Sequence, residues 1–258
     1  MRELQQAWPK LDGEARRARL QDLVNKQLGK SGVPTVRLRG RSLASTRLGE
    51  LNFADWAIDM KGDYFSAPTL SDDATRSIAD VTYHEGRHAE QWYLMARRRA
   101  ALGQSAADIS RDTALPLAIA QAARQQPLAT LPERGGASSP PTASSKFAVG
   151  HPPPSQTVRW ADDLGPCASA LDRSVYGADS AARTRTLTEL PAVQRATQQA
   201  LDNANRVAAA HGPASAEYAA AYRAWQAAQQ KSAAVYQQYR DLPEEADAWS
   251  TAAAMAAR

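Results

Sequence analysis

Val81 to Ala96 read VTYHEGRHAEQWYLMA, and within this stretch His84, Glu85, Gly86, Arg87 and His88 spell H-E-x-x-H. Residues four apart share one face of a helix, so two imidazoles at this spacing reach one Zn²⁺ at ~2.0 to 2.1 Å while Glu85 stands beside the open coordination position. The residue types have a chemical reason. Zinc lowers the pKa of a bound water toward ~7 and polarises a carbonyl, and a neighbouring carboxylate takes the water's proton as it attacks. The flanks argue for the helix. Ser71 offers an N-cap hydroxyl, Asp72 and Asp73 suit the positive end of the dipole, and Arg97, Arg98 and Arg99 suit the negative end. Only Gly86 interrupts the pattern before Gly103, so a helix is expected over about 72–102.

On the N-terminal side, Leu4, Trp8, Leu11, Leu20, Leu23, Val24 and Leu28 recur at three and four, which predicts helix over 1–30 with a stop at Gly29. Gly32, Pro34 and Gly40 break that pattern. Three stretches with strand character follow, VRLR, FADWAIDM and DYF, the last two separated by the turn-like Lys61-Gly62. A small sheet is expected over about 35–66, beside the histidine helix.

On the C-terminal side, ALPLAIAQAARQQ from Ala114 reads as another helix. Composition then shifts to Pro, Ser and Gly over about 131–155, a linker or loop with little to bury. It divides an N-terminal half, 1–130, from an alanine-rich helical half, 156–258, with breaks expected at Gly165-Pro166, Pro191, Gly212-Pro213 and Pro243. No repeat of fixed period is evident, and the recurring alanines suit close helix packing. The expected fold is α+β and mostly helical, with 1–258 forming one domain.

A catalytic zinc site needs a third protein ligand. In metzincins a glycine and a third histidine follow the second histidine by three and six, places held here by Gln91 and Leu94. His151 falls in the Pro-rich stretch, where ordering it costs conformational entropy, and His211 precedes a Gly-Pro break. A carboxylate remains, and YRDLPEEADAWSTAAA, beginning at Tyr239, offers one. Asp241 can cap a helix with Pro243 in its first turn. Glu245 shares a face with Ala248, Trp249 and Ala252, whereas Glu244 lines up with Asp247 and Thr251. Glu245 is therefore the expected ligand and Glu244 the second choice. Among the aromatic residues flanking the two segments, Tyr239 is placed to donate a hydrogen bond to an oxyanion.

The runs YHEGRHAEQWYLMAR and YRDLPEEADAW resemble the two halves of zincin-like, gluzincin-type metallopeptidase domains of bacterial polymorphic toxins and of proteins associated with contractile injection systems. In that pattern the zinc helix has the form H-E-x-R-H-x-E-Q-W, which accommodates Arg87 and Glu90, and a late helix near P-x-E-x-D-A supplies the third ligand. The resemblance implies a zincin-like core closed by C-terminal helices, zinc held by His84, His88 and a glutamate at 244 or 245, and Glu85 as the base. It implies peptide-bond hydrolysis in a peptide or protein substrate, bound by strand addition to an edge such as FADWAIDM. It also implies an effector that meets a secretion or injection apparatus. The alternative is a non-catalytic metallopeptidase-like cargo or structural module of such an apparatus.

Composition narrows the classes further. The net charge is +4 and the arginine clusters lack the interleaved aromatics of a stacking surface, which argues against nucleic acid as the partner. Cys167 is the only cysteine, so disulfide frameworks and cysteine-based zinc ribbons are excluded. No apolar run approaches the ~20 residues of a membrane helix, and the N-terminus has no signal-peptide core. A soluble protein is expected, cytoplasmic in the producing cell, with any export by a route that needs no cleavable signal.

Overall fold

The computed structural model describes residues 1–43, 47–128 and 160–256. Its axis is helix α4, Asp72–Ala101, which begins as the sequence dictates: the Ser71 side chain accepts from the Ala74 N–H, with Asp72 and Asp73 in the first turn and Arg98 and Arg99 in the last. Its buried face carries Ile78, Ala89, Trp92, Met95 and Ala96 into the core.

The helix expected over 1–30 is broken. Helix α1, Arg2–Ala7, leads into a tight turn at Trp8–Lys10, and α2, Gly13–Gly29, starts afresh from Asp12, whose carboxylate accepts from the Ala15 N–H. Pro9 cannot donate to the preceding turn and Asp12 is a strong cap, so the chain bends between them. The buried Arg16 guanidinium holds the bend, donating to the carbonyls of Trp8 and Phe65.

The sheet has three strands, β1 (Arg37–Arg41), β2 (Gly49–Asn52) and β3 (Ala57–Lys61), in the order β1-β3-β2. Strands β1 and β3 are parallel and β2 is antiparallel to β3. Two of the expected strands change. DYF belongs to a short helix, α3 (Asp63–Ser66), and the first half of FADWAIDM is a turn in which Trp56 takes φ 49°. The second half is the central strand β3, not an edge. The edge beside α4 is instead β2, GELN, whose Gly, Glu and Asn carry little intrinsic strand preference.

Past α4 come α5 (Ala106–Thr113) and α6 (Leu117–Gln125), joined through Ala114 in the left-handed region at φ 58°. The loop expected at 131–155 lies outside the described residues. Helix α7, Trp160–Tyr176, runs through Gly165 and Pro166, and α8, Ser180–His211, runs through Pro191, so neither expected break occurs. A helix-interior proline costs ~3 kcal/mol, which a long helix with a packed partner absorbs. The break falls instead at Gly177–Asp179, where the N–H groups of both residues fold back onto the Arg173 carbonyl. Breaks do occur at Gly212-Pro213, before α9 (Ala216–Arg240), and at Pro243, which opens α10 (Pro243–Ala256).

Helices α8 and α9 form an antiparallel hairpin whose seam buries Thr186, Val193 and Ala204 against Ala221 and Val235. At its base α10 lies along α4 and brings the late segment of the chain to the histidines. The architecture is thus a mostly helical α+β fold with a small mixed sheet packed on α4. Among the described residues no helix is long and apolar enough to cross a membrane.

Candidate metal centre

His84 and His88 lie one turn apart on the buried side of α4, and α10 presents Glu245 to both; the three are 5 to 7 % exposed. The two Nε2 atoms are 3.1 Å apart, His84 Nε2 lies 3.3 Å from Glu245 Oε2, and His88 Nε2 lies 3.4 Å from Glu245 Oε1. Ligand atoms ~2.0 to 2.1 Å from one tetrahedral ion are about 3.3 Å from each other. The observed triangle has that size.

Hydrogen bonding gives a second test of fit. The Gln91 amide donates through Nε2 to the Glu244 carbonyl at 2.8 Å and to Asp247 Oδ2 at 2.6 Å, so its Oε1, 2.8 Å from His88 Nδ1, accepts there. That places the His88 proton on Nδ1 and turns a lone pair on Nε2 toward Glu245. Glu245 Oε2, facing His84 Nε2, is buried without a hydrogen bond. Acceptors converging out of water repel unless a cation stands among them. Without a metal a proton takes that part. Burial alone disfavours charge on His88, but its bond to Glu245 and the charges of Glu85 and Glu245 prevail and lift its pKa to about 9. Burial likewise opposes the Glu245 carboxylate, yet the facing His84 and His88 rings and the Tyr239 hydroxyl bring it down to about 2. A His₂-carboxylate set of this kind fits a borderline-soft divalent ion such as Zn²⁺.

The remaining residues serve the site in different ways. Glu85 is buried, and its Oε2 accepts the N–H of Leu51 in β2 at 2.8 Å, so the edge strand is tied directly over α4. Burial raises its pKa, with the charges of His88 and His84 pulling the other way. Strand and helix approach closely because residue 49 is glycine: a Cβ there would sit 2.4 Å from Val81 Cγ1 and 3.6 Å from Glu85 Cγ. Tyr239 closes α9 with its hydroxyl against Glu245, and burial followed by that carboxylate's charge keeps the phenol protonated. Trp249 packs on His84 with ring centroids 4.4 Å apart, and Trp92 meets His88 edge-on at 5.9 Å.

Glu244 goes elsewhere. Although it is 1 % exposed, its carboxylate accepts from Arg183 Nε at 2.6 Å and Ser174 Oγ at 3.0 Å, so the inward-facing group beside Glu245 ties α10 to α7 and α8. Arg87 and Glu90 also find a structural use. The Arg87 guanidinium donates bidentately to Asp247 at 2.7 and 3.1 Å and to Glu90 at 2.6 Å, clamping α4 to α10. His211 ends α8, exposed and outside the cluster, and His151 lies outside the described residues. Gln91, which the sequence showed only as the place where a metzincin has glycine and as the glutamine of the E-Q-W run, is the residue whose role sequence reasoning missed. The available signal was its position three after His88, on the same helical face.

An open groove of about 760 Å³ runs past Arg17, Arg41 and Lys61, away from the three converging side chains, and a space of about 30 Å³ lies beside Gly86 and Arg87. The candidate site is placed at the histidines, because among the described residues it is there that buried, convergent ligand atoms meet. Compared with protein families, curated proteins and solved structures, the chain matches none. The reading of function therefore rests on the site itself.

Proposed function

We propose that this chain is a zinc-dependent hydrolase of peptide bonds with a zincin-like core. The observation that carries the reading is the buried triangle of His84, His88 and Glu245 with a carboxylate, Glu85, next to the first histidine. A zinc ion held there supplies Lewis acidity toward water and a carbonyl. Glu85 accepts the proton of the attacking water and passes it to the leaving amine, its burial favouring a carboxyl that holds protons better than one in water. Tyr239, kept protonated, donates to the developing oxyanion. An extended peptide lies beside β2, an outer strand of the sheet among the described residues, a role first expected of FADWAIDM. A peptide or protein substrate, and delivery through a secretion or injection apparatus, rest on the resemblance of the two site segments to toxin-associated domains.

A second reading is a non-catalytic metal-bearing module. The enclosure of the triangle favours it, as does the open groove past Arg17, Arg41 and Lys61, which none of the three residues lines. Glu85→Gln separates the two, since it keeps shape but cannot accept a proton. Zinc should stay bound while hydrolysis falls by ~10² to 10⁴. The assay compares new chain termini in a complex protein extract treated with wild type or variant. Termini made by wild type and absent with the variant support the enzyme, and identical termini support the inert module.

A further inference from the structure

Gln91 is completely buried on α4, and all of its hydrogen bonds run to the site or to the helix that brings the third ligand. Its two ends do different things. The NH₂ group is spent on the Glu244 carbonyl in the first turn of α10 and on Asp247, both oxygens that only accept, so the amide cannot be turned over without facing oxygen to oxygen. The carbonyl end is thereby fixed toward His88 Nδ1. An imidazole whose Nδ1 must donate keeps Nε2 as its basic atom, and Nε2 is the atom that faces Glu245 and His84.

We infer that Gln91 is a positioning residue that selects the His88 tautomer presenting Nε2 to the metal, while its NH₂ group does no more than fasten α10 to α4. The inference deepens the metal-site reading and rests on it. His84 has no equivalent, because its Nδ1 is buried without a partner. Orientation of the pair by hydrogen bonding therefore enters through His88 and one amide, with Trp249 holding His84 by packing.

Two substitutions separate the tautomer role from simple attachment of α10. Gln91→Met keeps the length of the side chain but loses both the acceptor and the donors. Gln91→Glu keeps the acceptor for His88 Nδ1–H and sets a carboxylate against the Glu244 carbonyl and Asp247. Zinc affinity of each folded variant is measured by competition with a chromophoric chelator, and melting temperature without metal is measured alongside. We expect Gln91→Met to lose about 10- to 100-fold in zinc affinity. Gln91→Glu should bind zinc within about threefold of wild type, although it melts at a lower temperature. Equal losses of affinity in both variants, or none in Gln91→Met, overturn the inference while leaving the metal site standing. The wild-type protein gives an independent reading: ¹⁵N–¹H correlations of the zinc-loaded form should show an exchange-protected His88 Nδ1–H. A His88 coordinated through Nδ1 overturns the inference even if neither variant folds, and a wild type that binds no zinc overturns the metal reading with it.

Discussion

Glu244 and Glu245 are adjacent, both buried, and directed to opposite duties. Glu245 faces two imidazoles, and Glu244 accepts from Arg183 and Ser174. Reading helix faces put Glu245 inward beside Ala248 and Ala252, which holds, but it left Glu244 on the outer side. One helical wheel shows one neighbour, and the first turn of α10 has several: it packs on α4 and α7, and Glu244 reaches Arg183 of α8. The pair therefore predicts a crossed result. Glu245→Ala should abolish tight zinc binding. Glu244→Gln should leave zinc affinity within severalfold but cost roughly 3 kcal/mol of stability, the low end for breaking a buried ion pair because Arg183 is partly reached by water. Zinc titration and denaturant unfolding of both variants check this, and a larger zinc defect in Glu244→Gln would exchange their roles. Arg87 has a similar history. A charge between two histidines looks out of place in the sequence, and its partner Asp247 is 160 positions away.

At the level of elements, the site depends on α4 and on the strand laid over it. The helix was legible almost to the residue because caps, dipole charges and the absence of breakers all agreed. The sheet was not. Strand β2 has no β-branched residue, and its place is set by what it touches: Leu51 N–H on Glu85, and Gly49 against Val81. The aromatic-rich FADW, by contrast, forms a turn, with Phe53 stacked on Trp92 at 4.3 Å and Trp56 donating to the Pro34 carbonyl. Tertiary contacts there outweigh strand preference. The same geometry makes Gly49 a sensitive point. Gly49→Ala places a methyl group where only a shift of strand or helix admits it, and a cost of about 1 to 3 kcal/mol is expected. Loss of the Leu51–Glu85 hydrogen bond should accompany it, visible as faster amide exchange at Leu51. Unchanged stability and unchanged exchange would mean that β2 does not bear on Glu85.

Across the whole molecule, the site exists only because α10 returns to α4 after the hairpin of α8 and α9. The base of that hairpin supplies Tyr239 to one glutamate and Arg183 to the other. The seam of the hairpin is alanine, threonine and valine, too mild a pattern to announce itself as a repeat, and Pro191 within α8 hides the length of the helix from any reading that treats proline as a stop. The candidate ligands were nonetheless legible, because the chemistry of a metal site restricts residue type and spacing more tightly than packing restricts a surface helix. The claim on which everything else depends is that His84, His88 and Glu245 hold one ion. Its most direct test is the zinc content per chain of purified protein, by elemental analysis after dialysis against metal-free buffer, for wild type, His84→Ala and His88→Ala. The account predicts about one zinc per chain in wild type and none in either variant; full occupancy in both variants, or a zinc-saturated wild type that retains none, would contradict it.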